Sequence, residues 1–454
     1  MSPGHKDFWF LPLGGCGEIG MNLNLYGHAG KWLMVDCGVT FEKVAGSTVN
    51  RVEMADPLFI SSRQPALVGI IATHAHEDHI GALAHLWEQF RCPIYTTPFT
   101  REVLQRKFRQ KGIQAPIVTV AEDEVLTLEP FEIRWLPITH STPETSALLI
   151  STPVGRVLHT ADWKLDDAPI VGDALDTGLY TALAQQNINA VICDSTNANQ
   201  PGASASEGEL FEALLAAVRS SSGRVVIACF ASNIARLQTL GHVAHVSGRY
   251  LGLLGRSMHN MVSCAKAAGY LRQNFNPVVN ADFDWLQPQE LMLIATGSQG
   301  ETNAALNRLA ADTHPDISLE AGDHVIFSAK TIPGNEADVE RLVRSFESRG
   351  IRVTHAGQLS DSERPLHASG HPCADELRQM YQWVKPTIAI PVHGEAEHMR
   401  CNAAIAKAAG VPFQLRGENG DLFDLLNGKV KRGAAPVGRL WLDEKNDRLE
   451  KVLA

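Results

Sequence analysis

Residues 67–86 read LVGIIATHAHEDHIGALAHL. A short apolar run fit for a buried strand ends at Thr73, and His74, His76, Asp78 and His79 crowd into the next six positions. In extended chain, side chains two apart point the same way, so His74 and His76 can face one ion. Asp78 and His79 fall where the chain swings into a helix, whose apolar face Ile80, Leu83, Trp87 and Phe90 would supply at helical spacing. They can face a second ion beside the first. The spacing is not that of the H-E-x-x-H zinc helix, and neither is HGEAEH at 393–398. Two ions of roughly four-fold coordination need more ligands than these four, preferably with one carboxylate shared between them.

The rest of the chain offers them in one recurring setting. RWLPITHST ends a strand at His140, VLHTADWK at Asp162, AVICDSTN at Asp194, IAIPVHGE at His393 and WLMVD at Asp36. Polar groups at the carboxyl ends of strands converge on one edge of a sheet, where α/β folds place their sites.

The chain has 454 residues, 44% of them hydrophobic and 20% charged, which is globular composition with length for two or three domains. A net charge of −10 argues against a broad nucleic-acid surface but leaves room for a local one. Eight cysteines are scattered without a CxxC pair, so neither a disulfide framework nor a thiolate zinc site is expected. FLPLGGC, ending at Cys16, lacks the long apolar run and basic start of a lipoprotein signal. No apolar run is long enough to span a bilayer, and the cytoplasm is the expected location.

Residues 8–40 read as strand, loop, strand, strand. GCGEIG, Gly15 to Gly20, matches G-x-G-x-x-G, but a dinucleotide site needs a helix next, and MNLNLYG alternates like a strand. From about residue 200 the pattern changes. SEGELFEALLAAVRS is helical, with Ser206 and Glu209 resembling a capping box. GRVVIACF, YLGLLG, ELMLIAT and HVIFSA then alternate with helices, as in a doubly wound parallel sheet. From about 357 the pattern of the first 200 residues resumes, so an α/β block is inserted within another domain.

This set of motifs resembles the metallo-β-lactamase superfamily: His74-x-His76-x-Asp78-His79, then His140, then Asp162. CDSTN, HASGH and PVHGE resemble the further motifs of its nucleic-acid-processing β-CASP branch. With GEIGMN, THAHEDHIGA, THSTPE, FASNIARLQ, TGSQGE and IPGNE they are similar to the ribonuclease J family, over residues from about 9 to about 430. The resemblance implies a metallo-β-lactamase αββα sandwich, residues 1–200, interrupted by a β-CASP domain, 201–356, and resumed over 357–454. On this reading the family's usual C-terminal domain is expected to be largely absent.

It also implies roles. His74, His76, His140 and Asp162 would hold one Zn²⁺, and Asp78, His79, His393 and Asp162 a second, with Mn²⁺ an admissible substitute. Asp36 would orient a ligand histidine. Two such cations bring a bridging water towards a pKa of about 7 for attack on phosphorus. His371 would protonate the leaving oxygen, with Asp194 orienting it and Asp78 counted among the catalytic groups. Phe230, Ala231, Ser232 and Asn233, with His367, Ala368, Ser369, Gly370 and His371, would hold the 5′-phosphate of single-stranded RNA.

The expected activity is 5′→3′ exonuclease action favouring 5′-monophosphate ends, with endonuclease action also allowed and a homodimer compatible. Arg236, Arg256 and Lys330 are the expected positive channel for the RNA backbone. The rivals are a lactonase- or thioesterase-type hydrolase of small molecules, a DNA hydrolase on the same scaffold, and a silent RNA-binding relative. The first finds no use for the insertion or His371, and the last no use for a complete ligand set.

Overall fold

Two large sheets lie face to face around a core whose residues alternate along each strand. In the computed structural model, residues 1–43, 50–63, 66–121, 124–355, 365–443 and 446–452 are described. The first sheet has eight strands, in the order Lys429–Lys431, Leu422–Asp424, Trp9–Gly14, Leu23–His28, Lys31–Val35, Leu67–Ile71, Ile94–Thr96, Ile117–Thr119. The second has seven: Phe413–Gln414, Ile388–Val392, Ala190–Asp194, Gly155–His159, Ser146–Thr152, Phe131–Pro137, Val125–Leu128.

Phe10, Leu33 and Val35 of the first sheet meet Ile133, Ile150, Ala190 and Ile192 of the second in one buried cluster. The residues between them on the same strands turn outward. Val191 and Cys193 pack with Leu377, Met380 and Tyr381 of helix Ala374–Val384, while Leu11 and Leu13 share a cluster with helices Leu83–Phe90 and Pro98–Gln110. The two-residue period of a strand buried on both faces thus builds helix, sheet, sheet, helix.

A third sheet is wholly parallel, in the order Tyr250–Leu254, Leu291–Ala295, Val225–Ala228, His324–Phe327, Arg352–His355. Val225 and Ile227 face one apolar cluster and Val226 and Ala228 the other. The expected resumption of the first domain at 357 falls on residues 356–364, outside the described residues. Beyond them, Ile388–Val392 pairs in parallel with Ala190–Asp194, so chain on either side of the insertion builds one sheet.

Three local details differ from the expectations. The helix after the histidine cluster is broken into Glu77–Ile80 and Leu83–Phe90. The carbonyls of Asp78 and His79, which would continue the ladder, instead accept from Asn22 N and Cys37 N at 3.0 and 2.7 Å. The N–H of Ala82 turns to Cys37 O at 3.0 Å.

Ser206 caps a tight first turn through Gly208 N at 3.1 Å, and its hydroxyl is shared with Asp166, so no box with Glu209 forms. A fourth sheet, Arg448–Lys451, Arg439–Asp443, Arg51–Ala55 and Val39–Glu42, has no counterpart among the expectations. It joins the end of the chain to its beginning, and nothing local announces such pairing.

Candidate metal centre and its surroundings

Each expected metal ligand follows a strand and arrives at one edge of the two sheets. His74 and its neighbours follow Leu67–Ile71, His140 follows Phe131–Pro137, Asp162 follows Gly155–His159 and His393 follows Ile388–Val392. The backbone is strained where they meet. Asp36, Ala161 and His393 hold left-handed φ values of 63°, 51° and 50°. Residues with a Cβ keep such conformations only where the surrounding fold imposes them, commonly at functional sites.

His74, His76, His140 and Asp162 form one group of potential ligands, and Asp78, His79, Asp162 and His393 another; within each, one atom per residue lies within 4.8 Å of the rest. Asp162 belongs to both. Its Oδ2 faces His74 Nε2 and His140 Nε2 at 3.8 and 3.9 Å, and its Oδ1 faces His79 Nε2 at 3.2 Å.

In the first group, His76 Nδ1 lies 3.2 Å from His74 Nε2 and 3.1 Å from His140 Nε2. The outer nitrogens show where the protons are. His140 Nδ1 donates to Gly370 O at 2.5 Å, leaving Nε2 bare. Thr73 gives its hydroxyl proton to Asp36, so it accepts from His74 Nδ1 at 3.0 Å, and His74 Nε2 is bare too. His76 Nδ1 lies against both bare nitrogens, and an ion held by all three would take the place of a proton there. Two nitrogens about 2.0–2.1 Å from a tetrahedral zinc lie roughly 3.4 Å apart, near the spacing found.

Burial, with the neighbouring imidazoles, holds His74 and His140 well below the usual histidine range, and His76 down to about 4. All three are neutral, as ligands must be.

The second group is electrostatically different. Burial opposes charge on His79 and His393, but Asp162 and the other carboxylates outweigh it and raise both well above the ordinary value. Burial would likewise raise Asp78 and Asp162, but the facing imidazoles hold both low. His393 Nε2 stands 3.1 Å from Asp78 Oδ2. A divalent cation held by these residues would take the place of those protons. Asp162 Oδ1 is buried against His79 Nε2 and His393 Nδ1 at 3.2 and 3.4 Å without a well-formed hydrogen bond, an acceptor that suits an ion. The residues present therefore fit a metal pair of nitrogen and oxygen ligands.

Asp36 lies behind His79. It accepts from Thr73 N at 2.8 Å and from His79 Nδ1 at 2.7 Å, which fixes the ring and leaves Nε2 for the ion. Three further residues of the site, Thr73, Asn22 and Thr196, were not among those expected. Asn22 Nδ2 lies 3.2 Å from His79 Nε2, and Thr196 Oγ1 touches both Asp194 Oδ1 at 2.7 Å and His393 Nδ1 at 3.0 Å. Thr73 and Thr196 stand beside motif residues, which is a signal the sequence does carry. Asn22 closes the GEIGMN motif, but nothing there shows that it reaches His79, 57 residues away.

His371 and Asp194 come together beside the cluster. His371 Nδ1 is 2.8 Å from Asp194 Oδ2, and its ring centre is 5.3 Å from that of His140. Burial opposes its charge, but Asp194 and Asp162 prevail and raise its pKa.

The expected phosphate residues sit on two loops that approach each other. Phe230 is exposed, and Ala231 and Ser232 are half-buried before helix Ile234–Ser247. Asn233 is committed locally. Its Oδ1 accepts from Arg236 N at 2.8 Å and its Nδ2 lies 3.2 Å from Glu207 Oε1.

On the other loop, Ala368 is buried, and Ser369 Oγ accepts from Asn197 Nδ2 at 2.7 Å. A Cβ on Gly370 would stand 2.6 Å from His140 Cε1, so only glycine lets this loop reach the ligand. His367 Nδ1 is buried with no partner, and burial plus the nearby Arg236 and Lys330 lower its pKa to about 3.

The channel expectation needs correction at Arg236. It is fully buried, paired with Glu207 at 3.0 Å and donating to Ser328 O at 2.7 Å and Leu366 O at 3.4 Å. A guanidinium with no exposed surface and a carboxylate of its own cannot attract a polyanion; it ties the two loops together. Arg256 and Lys330 are exposed.

Known proteins match this arrangement along nearly the whole chain. The family described as "Metallo-beta-lactamase superfamily" matches residues 21–227, "Ribonuclease J, beta-CASP domain" matches 222–346, and "Zn-dependent metallo-hydrolase RNA specificity domain" matches 363–414. Ribonuclease J of Sinorhizobium meliloti is 40% identical over 446 residues, covering 96% of this chain and 78% of that one. The chain belongs to the ribonuclease J family.

Ribonuclease J of Mycolicibacterium smegmatis is 37% identical, covering 95% of this chain and 77% of that one. A solved structure of a protein of unknown function from Enterococcus faecalis V583, 15% identical, shares the fold with a TM-score of 0.62 over 92% of this chain and 99% of that one. The family assignment agrees with the sandwich and its β-CASP insertion, and the superfamily with the two His/Asp clusters supports metal use.

Proposed function

We propose that the chain is a two-metal ribonuclease that removes nucleotides from the 5′ end of single-stranded RNA and favours 5′-monophosphate ends. The observation that carries the reading is Asp162, which offers one oxygen to each ligand group, with the His371–Asp194 pair opening onto the same cluster. The ligands are His74, His76 and His140 on one side and Asp78, His79 and His393 on the other, with Asp162 bridging. Zn²⁺ suits the imidazole-rich first group, and Mn²⁺ is an alternative because no thiolate takes part. When bound, the two ions supply a nucleophilic water at neutral pH and neutralise the phosphoryl oxygens.

The chain's own residues do the rest. Asp36 holds His79 in the ligating tautomer, as Gly370 O does for His140. Asp194 takes the Nδ1 proton of His371, so Nε2 is the nitrogen that can give a proton to the leaving 3′-oxygen. The carboxylates of Asp194 and Asp162, which raise the His371 pKa against burial, favour keeping that proton. The loops 230–233 and 367–371 form the 5′-phosphate site. There the backbone at the start of helix Ile234–Ser247 and the small side chains of Ala368, Ser369 and Gly370 let N–H groups approach an anion.

The division into 1–200, 201–356 and 357–454 is the organisation we assign. Among the described residues no helix is long and apolar enough to cross a membrane. We place the enzyme in the cytoplasm, where its RNA substrate is.

The test uses 3′-labelled RNA carrying either a 5′-monophosphate or a 5′-hydroxyl, with Zn²⁺ or Mn²⁺. Mononucleotides should leave the 5′ end, faster from the phosphorylated RNA, and the reaction should vanish in His76→Ala. A metal-loaded protein that leaves RNA intact would end this reading in favour of a small-molecule or DNA substrate.

A further inference from the structure

Glu144 closes the THSTPE segment four residues after His140. It has a left-handed φ of 59°, which a glutamate keeps only where its surroundings hold it. Its carboxylate shows what does so. One oxygen accepts from the backbone N–H of Phe99 at 2.7 Å, at the start of helix Pro98–Gln110. The other accepts from the Tyr270 hydroxyl at 2.8 Å.

Tyr270 belongs to the inserted unit, just beyond helix Arg256–Ala267, and its ring meets Phe99 edge-on at 6.1 Å. The same two helices are joined further along, by Arg106 Nη2 to Asn260 Oδ1 at 2.5 Å and Cys264 Sγ to Glu102 O at 3.7 Å. Glu144 is thus the point where the His140 loop, the lactamase-fold body and the insertion meet. On another part of the insertion the tie to the body is an ordinary half-exposed ion pair, Lys43 with Asp338.

We propose that Glu144 is a positioning residue for the RNA reaction: through Tyr270 it sets the insertion, and the 5′-phosphate loop 230–233 it carries, in register with the metal-ligand loop. This rests on the 5′-phosphate reading above. Glu144 touches neither substrate nor ligand atoms. Its bond to Tyr270, 2.8 Å long, is a charge-assisted hydrogen bond on a loop that also supplies a proposed metal ligand. A shift of an ångström between a substrate's anchor and the reacting centre is enough to lower turnover by about a hundred-fold, so the quality of this joint bears on rate.

The experiment compares wild type with Tyr270→Phe, which keeps the ring against Phe99, and with Glu144→Gln, which keeps the shape. Each is assayed for metal content, for hydrolysis of bis(p-nitrophenyl) phosphate, and for kcat and KM on one RNA sequence with a 5′-monophosphate or a 5′-hydroxyl. The small diester needs only the metal centre. Both variants should keep wild-type metal content and a diester rate within about two-fold. Their kcat on 5′-phosphorylated RNA should fall about ten-fold, with a much smaller loss on the hydroxyl RNA, so that the preference shrinks.

A preference retained in both variants would overturn the proposal. So would parallel loss of metal and diester activity, which would make Glu144 a mere support for His140. A wild type without any preference for the phosphorylated RNA would remove the 5′-phosphate reading itself, and the two failures are told apart by that control.

Discussion

His371 shows how one side chain's surroundings choose its task. Asp194 fixes its Nδ1, and the carboxylates of Asp194 and Asp162 overcome burial to raise its pKa. If His371 donates a proton as proposed, it works while protonated, so kcat should fall as pH rises through the raised His371 value. His371→Gln should lower kcat by about 10²–10⁴-fold, leave metal content unchanged and abolish that alkaline limb in a pH–rate profile. A limb that survives in the variant would assign the titration to another group.

His324 behaves oppositely. Its ring lies between Ser221 Oγ at 2.6 Å and Thr354 Oγ1 at 2.8 Å, and burial, with Arg352 and Arg249, lowers its pKa to about 4. With the folded value below the unfolded 6.5, its contribution to stability is present above pH 6.5 and lost as pH falls towards 4. His324→Gln should flatten the acid limb of stability measured by urea unfolding across that range. An unchanged limb would show that other groups carry it.

At the scale of elements, the break between Glu77–Ile80 and Leu83–Phe90 is where the metal loop is held. Asn22 and Cys37, at the outer ends of the paired strands Leu23–His28 and Lys31–Val35, capture the carbonyls of Asp78 and His79. Gly38 makes this approach possible, since a Cβ there would lie 1.7 Å from Asp78 O. Gly38→Ala should therefore destabilise the fold by about 2 kcal/mol or more and weaken metal retention, read by thermal unfolding with and without a chelator. Wild-type melting and metal content would contradict that close contact.

The ligand set is legible in the sequence because it sits in short patterns: two histidines two apart, and single polar residues just past apolar strands. Burial is not legible. Nothing in FASNIARLQ distinguishes a surface arginine from Arg236, whose partners Glu207 and Ser328 lie 29 and 92 residues away. The helix break and the fourth sheet escape the sequence for the same reason. Each depends on contacts between segments far apart along the chain, while hydrophobic period reports only the neighbourhood of each residue.

At the scale of the whole molecule, an acidic chain handles an acidic polymer by concentrating its chemistry. The net charge is −10, yet the cluster gathers five histidines and two aspartates at one sheet edge, and the loops proposed to hold the 5′-phosphate are braced by a buried Arg236. The inserted parallel sheet brings its loops to the centre, and chain from both sides of it completes the second body sheet. The alternation of strands and helices after residue 200 announces such an insertion. How it is set against the body depends on Glu144, Tyr270 and Arg106; Glu144 ends the THSTPE motif, but nothing in the sequence pairs it with Tyr270, 126 residues away.

The central claim is that Asp162 joins two ions into one centre. Metal content of the purified protein should be two equivalents of Zn²⁺ or Mn²⁺ per chain, read by atomic emission after dialysis against the free ion. His140→Ala should lose one equivalent, and Asp162→Ala should lose both together with ribonuclease activity. Two equivalents retained by Asp162→Ala, or a single equivalent in the wild type, would contradict the shared-carboxylate centre.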